Sequence, residues 1–460
     1  MKIKKEVRSG SFSTVRIVSM GFLGIILMGS LLLWLPISNR EPIAYLDALF
    51  TATSAICVTG LVTIVPATQF TLFGKVILLI LIQIGGLGVI ACTMIIFKLI
   101  SKKVTIKGRI VIQQAYNLNT LTGMMTFILR IIKITFVIQL IGALFFAIDF
   151  IPRFGWTRGI GMSIYHAVSA FCNADLNLMG PDNFEPFVGS PLINFTVMAL
   201  IVMGGLGFTV WSDLFDNSKE IIRRKAPFCR LFSRLSLQSK MVLSMSGILI
   251  VLGALGFFLL EMNNEATMGG LKAGETVMAS FFQSVTSRSG GFVTVAQDRL
   301  TNGSKVWSSV LMFIGGSPGS TAGGVKTTTF AMMIMTTISV LRGRAQVECF
   351  GRRIAPTVVK TGITITFLYF MLLLTSITVI TILEPAKDFL SIWFEGTSAL
   401  GTVGLSTGIT QTLSRASQGV LMVLMYVGRI GPVTAALVFV GKAHRGEQMR
   451  ELPEKYIMIG

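Results

Sequence analysis

Charged side chains, cysteine and histidine are all scarce in this chain. Asp, Glu, Lys and Arg make up 13% of its 460 residues, hydrophobic residues make up 52%, and the mean hydropathy is +0.74. A typical soluble globular domain has about 25% charged residues, so the composition excludes that class of protein. The sequence therefore predicts a polytopic membrane protein.

The five cysteines form no Cys-x-x-Cys pair, and the two histidines, His166 and His444, lie far apart in the sequence. These absences argue against a disulfide framework and against a metal centre, and we interpret the cysteines as small apolar packing residues. The hydrophobic runs contain no paired acids, no Ser/Lys pair and no His/Glu pair, which argues against an intramembrane enzyme. We expect a chain that is not an enzyme and that carries no covalently bound cofactor.

Acidic residues number 21 against 40 basic ones, which gives a net charge of +19. The basic residues are clustered, and every cluster falls on the same side of the predicted membrane topology. By the positive-inside rule that side is the cytoplasm, so both termini are predicted to be cytoplasmic and no nucleic-acid partner is expected. The clusters lie in residues 1–16, 98–109, 216–240, 340–360 and 441–460.

Eight hydrophobic runs are long enough to cross a bilayer core of about 30 Å. The first lacks a small-residue cleavage site, so we expect a retained helix and not a signal peptide. Between each odd-numbered run and the next lies a run too short to cross, which predicts a re-entrant pore helix. The predicted spans are 16–36, 71–98, 126–151, 191–214, 240–261, 306–341, 360–383 and 418–441, and the predicted pore helices are 44–57, 160–173, 274–286 and 388–400.

One short pattern occurs four times along the chain. An aromatic residue is followed ten positions later by glycine and then by Leu or Phe, and the second copy has aspartate in place of the glycine. Successive copies of the glycine or aspartate position lie 113 to 116 residues apart. The whole chain is therefore predicted to be one unit repeated four times. The pairs are Phe50 and Gly60, Tyr165 and Asp175, Phe281 and Gly291, and Phe394 and Gly404.

The fourth copy reads Thr402, Val403 and Gly404 at the end of a short amphipathic run. Glycine permits the positive φ angle that turns successive backbone carbonyls toward one axis, as an ion selectivity filter requires. Four such segments on one chain can surround a pore that holds a cation at the filter carbonyls. The predicted ion-binding residues are Val58, Thr59, Gly60, Asn173, Ala174, Asp175, Ser289, Gly290, Gly291, Thr402, Val403 and Gly404.

Asp175 departs from the other three copies. Aspartate tolerates a left-handed backbone better than most residues, so the turn is compatible with it. Its carboxylate beside an ion path is costly unless an ion or a partner neutralises it. Two interpretations are open: Asp175 alters cation binding or selectivity, or its side chain points away behind the filter.

The sixth span, 306–341, is far longer than a bilayer requires, and its middle is rich in glycine. Irregular backbone at membrane depth is tolerated only where protein or a water-filled cavity surrounds it, so we predict a movable intramembrane gate below the filter. Arg429 lies deep in the last span and is expected to face this gate or the pore. The predicted gate residues are Gly315, Gly316, Ser317, Gly319, Ser320, Thr321, Gly323, Gly324, Lys326 and Arg429.

With four filter segments, a broken sixth span and an arginine in the eighth, the chain resembles the Trk/Ktr/HKT superfamily of potassium transporters, and most of all the Ktr type B membrane subunits of bacteria. The resemblance covers essentially the whole chain. It implies an all-α membrane protein of four tandem helix–pore loop–helix repeats around a pseudo-fourfold pore. The most specific segments are 47–60, 399–408 and 427–432.

The resemblance also implies partners and an activity. It implies a homodimer in the bacterial plasma membrane, potassium uptake stimulated by sodium, and gating by a cytosolic regulatory subunit of the KtrA/KtrC type, an RCK ring that binds ATP or ADP. The nucleotide would bind that partner and not this chain. Because the family expects glycine at position 175, a less selective or sodium-conducting pathway is the alternative function.

The basic segment 98–125 has two open interpretations, a docking surface for a cytosolic partner or an ordinary positive-inside loop. The four-repeat scheme divides the chain at its cytoplasmic linkers. The predicted divisions are a tail at 1–15, repeat 1 at 16–100, repeat 2 with its preceding linker at 101–220, repeat 3 at 221–345, repeat 4 at 346–442 and a tail at 443–460.

Overall fold

The structure is a computed structural model that describes residues 10–88, 124–225, 227, 230–344 and 346–431. Its regular structure is almost entirely helical. The basic segment 98–125, apart from its last two residues, and the predicted C-terminal tail lie outside the described residues. The main helices are α1 Gly10–Trp34, α2 Tyr45–Cys57, α3 Leu72–Leu87, α4 Met124–Phe154, α5 Trp156–Cys172, α6 Pro191–Gly205, α7 Phe208–Arg223, α8 Leu237–Glu261, α9 Ala273–Thr286, α10 Asn302–Phe313, α11 Thr327–Leu341, α12 Pro356–Leu383, α13 Phe389–Gly401 and α14 Arg415–Ile430.

The remaining elements are short. Two strands pair antiparallel between α11 and α12, with Glu348 opposite Arg353. The strands are β1 Glu348–Cys349 and β2 Arg352–Arg353, and the short helical segments are Pro36–Ser38, Pro66–Gln69, Glu185–Phe187, Leu231–Arg234 and Ile409–Thr412.

Three helices among the described residues are long and apolar enough to cross a membrane: Thr126–Phe154, Leu237–Glu261 and Pro356–Leu383. A fourth candidate is the pair α6 and α7, which is bent by 97°. The ends of the predicted spans 71–98 and 418–441 lie outside the described residues. The full set of eight spans therefore stays a prediction.

Four short, largely buried helices, α2, α5, α9 and α13, coincide with the predicted pore helices. Each contacts the long helix that precedes it in the chain. Each also contacts a helix from a different quarter of the chain: α2 contacts α14, α5 contacts α3, α9 contacts α6, and α13 contacts α10. Each short helix thus packs against its own quarter of the chain and against a neighbouring quarter, so that the four quarters form a closed cycle.

An ion pair connects the first and last quarters. Asp47, in the first turn of α2, accepts hydrogen bonds of 2.6 and 3.1 Å from the guanidinium of Arg415 at the start of α14. A bidentate arginine–carboxylate pair fixes orientation as well as distance. It therefore holds the two ends of the cycle together across 368 residues of sequence.

Candidate functional site

The loops that follow the four short helices adopt the same backbone turn. The φ angle is +100° at Gly60, +67° at Gly291 and +93° at Gly404, and it is +51° at Asp175. Aspartate therefore takes the left-handed conformation that the three glycines take more readily. The turn predicted for the repeated motif is present at all four positions.

Hydroxyl side chains in the last turns of the short helices hold these loops. The Gly60 N–H donates to Ser54 Oγ at 2.9 Å, and the Gly404 N–H donates to Ser398 Oγ at 3.1 Å. In the second loop, Ser169 Oγ donates to the Leu176 carbonyl at 2.9 Å. These bonds satisfy backbone polar groups of the loops from the helix side and fix the direction of each loop's backbone.

The four loops converge on one point. A methyl group on Gly60 would lie 3.0 Å from the Ala174 carbonyl oxygen, and one on Gly404 or Gly291 would collide with the carbonyl oxygen of Thr59 or Val403, respectively. Only glycine fits such close approaches. We call the carbonyl oxygens of Thr59, Ala174 and Val403 the carbonyl ring.

The Asp175 side chain lies inside this arrangement. A methyl group on Gly60 or Gly291 would come within 2.5 Å of Asp175 side-chain carbon, and one on Gly404 would lie 2.9 Å from Asp175 Oδ2. Asp175 is only 5% exposed. Of the two sequence interpretations, this geometry favours the one that has the side chain facing the three other turns.

A cavity of about 370 Å³ adjoins three of the four turns and is lined by Gly60, Asp175 and Gly404. Its wall also includes the exposed acid Asp298 and Glu185. Partial burial, together with the nearby acids Asp182 and Asp298, raises the pKa of Glu185. The cavity is therefore an acidic approach to the four turns, which attracts cations.

Other predicted filter residues lie at the edge of the convergence point. Ser289 has φ of +110° and its hydroxyl donates to the Thr402 carbonyl at 3.2 Å. The Val58 side chain faces Gly85 of α3, and Gly290 lies against Ile201 of α6. These residues join the loops to each other and to the surrounding helices.

Glycines in three later helices permit close contact with the short helices. A methyl group on Gly85, Gly204 or Gly428 would collide with the carbonyl oxygen of Ile56, Phe171 or Leu400, respectively. Each of these carbonyls lies near the C-terminal end of a short helix. These three glycines therefore permit close packing of the helix backbones.

Three helices also end shortly after those glycines, at a further glycine with a positive φ angle, which the sequence analysis did not predict. Helices α3, α6 and α14 are followed by Gly88, Gly207 and Gly431, with φ of +83°, +93° and +92°. The predicted span 191–214 is thus not continuous, because α6 and α7 meet at 97°. The signal was present in the sequence as a glycine three residues after Gly85, Gly204 and Gly428.

The irregular middle of the predicted sixth span is present as residues 314–326, between α10 and α11; we call it the gate loop. Ser317 N–H and Thr321 N–H donate to the carbonyls of Gly205 and Gly204 at 3.0 and 3.3 Å. Gly319 carbonyl accepts from Phe208 N–H at 3.0 Å. The loop is therefore joined by backbone hydrogen bonds to the break between α6 and α7.

The gate loop lies against the loops and C-terminal ends of the short helices. Gly323 contacts the Thr402 side chain so closely that a methyl group there would collide with it. The Thr321 hydroxyl is 3.4 Å from the Phe171 carbonyl at the end of α5. Of the predicted gate residues, Gly323 thus contacts the fourth loop and Thr321 contacts the end of α5.

Two basic side chains donate hydrogen bonds to carbonyls of the loop. Arg429 of α14 donates to the Thr321 carbonyl and to the Gly85 carbonyl at the end of α3. Lys326 Nζ donates to the Ala322 carbonyl at 2.7 Å. Arg429 thus connects the gate loop to two helices from other quarters of the chain, and its predicted position facing the gate agrees with this geometry.

Glu395 is a site residue that the sequence analysis missed. It is 1% exposed in α13 and accepts hydrogen bonds from Ser406 Oγ at 2.5 Å, Thr407 N–H at 3.0 Å and Thr410 Oγ1 at 2.7 Å. A buried carboxylate is costly unless such donors satisfy it. Glu395 thereby fixes the chain directly after Gly404. The signal available in the sequence was an acidic residue inside a predicted pore helix.

Comparisons with known proteins agree with this arrangement. A family model described as TrkH, a cation transport protein, matches residues 5–449. The chain is 38% identical over 440 residues to Ktr system potassium uptake protein B of Bacillus subtilis, covering 95% of each chain. It is 37% identical over 463 residues to potassium/sodium uptake protein NtpJ of Enterococcus hirae, covering 100% of this chain and 99% of that one.

A solved structure shares the fold. The crystal structure of the potassium transporter TrkH from Vibrio parahaemolyticus superposes with a TM-score of 0.74 at 18% identity, covering 94% of this chain and 85% of that chain. At that identity the likeness concerns the fold alone. The relatives matched by sequence are transport proteins and not enzymes.

Proposed function

The chain belongs to the TrkH family of cation transport proteins, and on that premise we propose that it takes up potassium through a channel-like pore formed by four helix–pore loop–helix repeats. The family resemblance predicted from the sequence is confirmed, and so is its placement among multi-pass proteins of the cell membrane. The observation that carries the proposal is the convergence of the four turns at Gly60, Asp175, Gly291 and Gly404.

In this mechanism the filter replaces the hydration shell of the ion. The carbonyl ring, with the threonine hydroxyls of Thr59 and Thr402, supplies oxygen ligands to a dehydrated potassium ion. Both hydroxyl oxygens are buried and have no hydrogen-bond partner among the described residues. Oxygen dipoles of this kind bind a monovalent cation without holding it too tightly to leave.

The gate loop and Arg429 form the barrier below the filter. The loop contacts Thr402 of the filter through Gly323 and the end of α5 through Thr321, and Arg429 holds it there. The positive charge of Arg429 also opposes the passage of a cation. Conduction requires the loop to move aside, after which the ion descends its electrochemical gradient into the cytoplasm.

The assembly that would move the loop is also part of the proposal. A relative is named as one component of a Ktr system, and a multi-component complex with a regulatory subunit fits that name. We place in it a homodimer of this chain and a cytosolic nucleotide-binding ring that binds ATP or ADP. Both termini of the chain and its basic loops then face the cytoplasm, where the ring docks.

Sodium conduction is the second candidate. Asp175 supplies a carboxylate where the other turns have glycine, and a stronger ligand field favours smaller cations. The relative from Enterococcus hirae is named a potassium/sodium uptake protein. Under the potassium proposal, sodium would instead act as an activator of uptake and would not itself be transported.

Ion flux into proteoliposomes that contain only this chain tests the proposal. Radioactive rubidium, as a potassium congener, and radioactive sodium are supplied outside, with protein-free vesicles as the control. We expect rubidium uptake that external potassium competes with and external sodium does not. Sodium uptake without rubidium uptake would establish the second candidate, and uptake of neither ion would contradict both.

A further inference from the structure

Asp175 is a buried acid whose side chain faces the other three turns. None of the ion pairs among the described residues includes it. Its Oδ1 atom is buried without a hydrogen-bond partner, although the residue lines the cavity of about 370 Å³. A buried carboxylate in this state calls for a ligand.

Several oxygen atoms lie close to the Asp175 side chain. The carbonyl ring borders the Asp175 side chain on the side of the other turns. Asn183 contributes a side-chain amide from the cavity wall, and its carbonyl oxygen is also buried and without a partner among the described residues. Carboxylate, backbone carbonyl and amide oxygens together are the ligands that hard cations prefer.

The charge decides which cation benefits most. The attraction between a carboxylate and a cation scales with the charge of the cation, so Asp175 adds twice as much for a divalent ion as for a monovalent one. Calcium accepts irregular sets of six to eight oxygen ligands, whereas magnesium requires near-octahedral geometry and gives up its water reluctantly. The site therefore suits calcium best.

We propose that Asp175 is the principal ligand of a calcium site at the mouth of the filter, and that calcium bound there from the cavity blocks the passage of monovalent cations. The site rests on the proposed function, because the block requires the convergence point to be the ion path. A variant of the chain with glycine at position 175 would lack this calcium site and keep only the carbonyl ring.

The test is calcium inhibition of rubidium flux in proteoliposomes, with calcium added outside. The wild-type chain is compared with Asp175→Asn, which removes the charge but keeps the shape, and with Asp175→Gly. Glu265→Gln is the matched control, because Glu265 is an exposed acid outside the cavity lining. We expect both Asp175 variants to raise the half-inhibiting calcium concentration by at least about tenfold, equivalent to ~1.4 kcal/mol, and Glu265→Gln to leave it unchanged.

Thermal unfolding of the detergent-solubilised protein provides a readout that needs no flux. Calcium should raise the unfolding temperature of the wild type and of Glu265→Gln, and it should not raise that of Asp175→Asn. If calcium neither stabilises nor blocks the wild type, or acts equally on Asp175→Asn, the site is refuted. Absence of flux in every protein would contradict the proposed function, while Asp175-dependent stabilisation by calcium would still support the site.

Discussion

Arg429→Ala should raise rubidium flux through the chain by at least about tenfold. The substitution removes two hydrogen bonds from a charged donor, one to the gate loop at Thr321 and one to the end of α3 at Gly85. Hydrogen bonds to charged groups contribute ~1.5–3 kcal/mol each, and a shift of ~1.4 kcal/mol changes a population tenfold. The closed position of the gate loop loses that stabilisation, so the open position becomes more populated.

Arg429→Lys distinguishes a clamp from a simple charge effect. Lysine keeps the positive charge but lacks the planar fork that reaches two carbonyls at once. We expect flux between that of the wild type and that of Arg429→Ala, measured in vesicles with equal amounts of folded protein. Flux that is unchanged or reduced in Arg429→Ala would show that Arg429 does not hold the gate closed.

Gly404→Ala should abolish the discrimination between rubidium and sodium and reduce rubidium flux by about tenfold or more, for which ~1.4 kcal/mol of added barrier suffices. The residue has φ of +93°, and an added methyl group would collide with the Thr59 carbonyl and approach Asp175 Oδ2 at 2.9 Å. The collision displaces a carbonyl that the proposed filter requires. The measurement is competitive uptake of the two isotopes.

Gly408→Ala separates this effect from backbone strain. Gly408 has φ of +87°, but no atom lies within 4 Å of the position that its methyl group would occupy. Both substitutions therefore carry a similar left-handed strain of ~1–2 kcal/mol. Selectivity close to that of the wild type is expected for Gly408→Ala, and equal loss in both variants would place the defect in folding and not in the filter.

The sequence was most informative where function depends on the backbone. Positive φ angles at Gly60, Gly291 and Gly404 were predictable because few other residues adopt them without strain. The gate loop was predictable for the same reason, since a glycine-rich segment inside a long apolar span cannot remain a regular helix. Asp175 could be placed in the turn, but its side-chain direction depends on neighbours from three other loops.

The break between α6 and α7 shows where a sequence pattern is insufficient. Glycine pairs in an apolar run are compatible with close helix packing and with a kink, and only the structure shows both at Gly204 and Gly207. The ion pair of Asp47 with Arg415 was hidden for another reason. Contacts between residues that are hundreds of positions apart depend on the cyclic arrangement of the helices, which no local pattern encodes.

The most direct test of the central claim is to locate the ion. Crystals or frozen samples of the protein in rubidium, examined by anomalous scattering or by comparison with a potassium sample, would reveal where a monovalent cation binds. We predict density between the turns at Gly60, Asp175, Gly291 and Gly404, in contact with the carbonyl ring. Ordered rubidium elsewhere in the membrane domain, with none at this point, would contradict the assignment of the four loops as one filter.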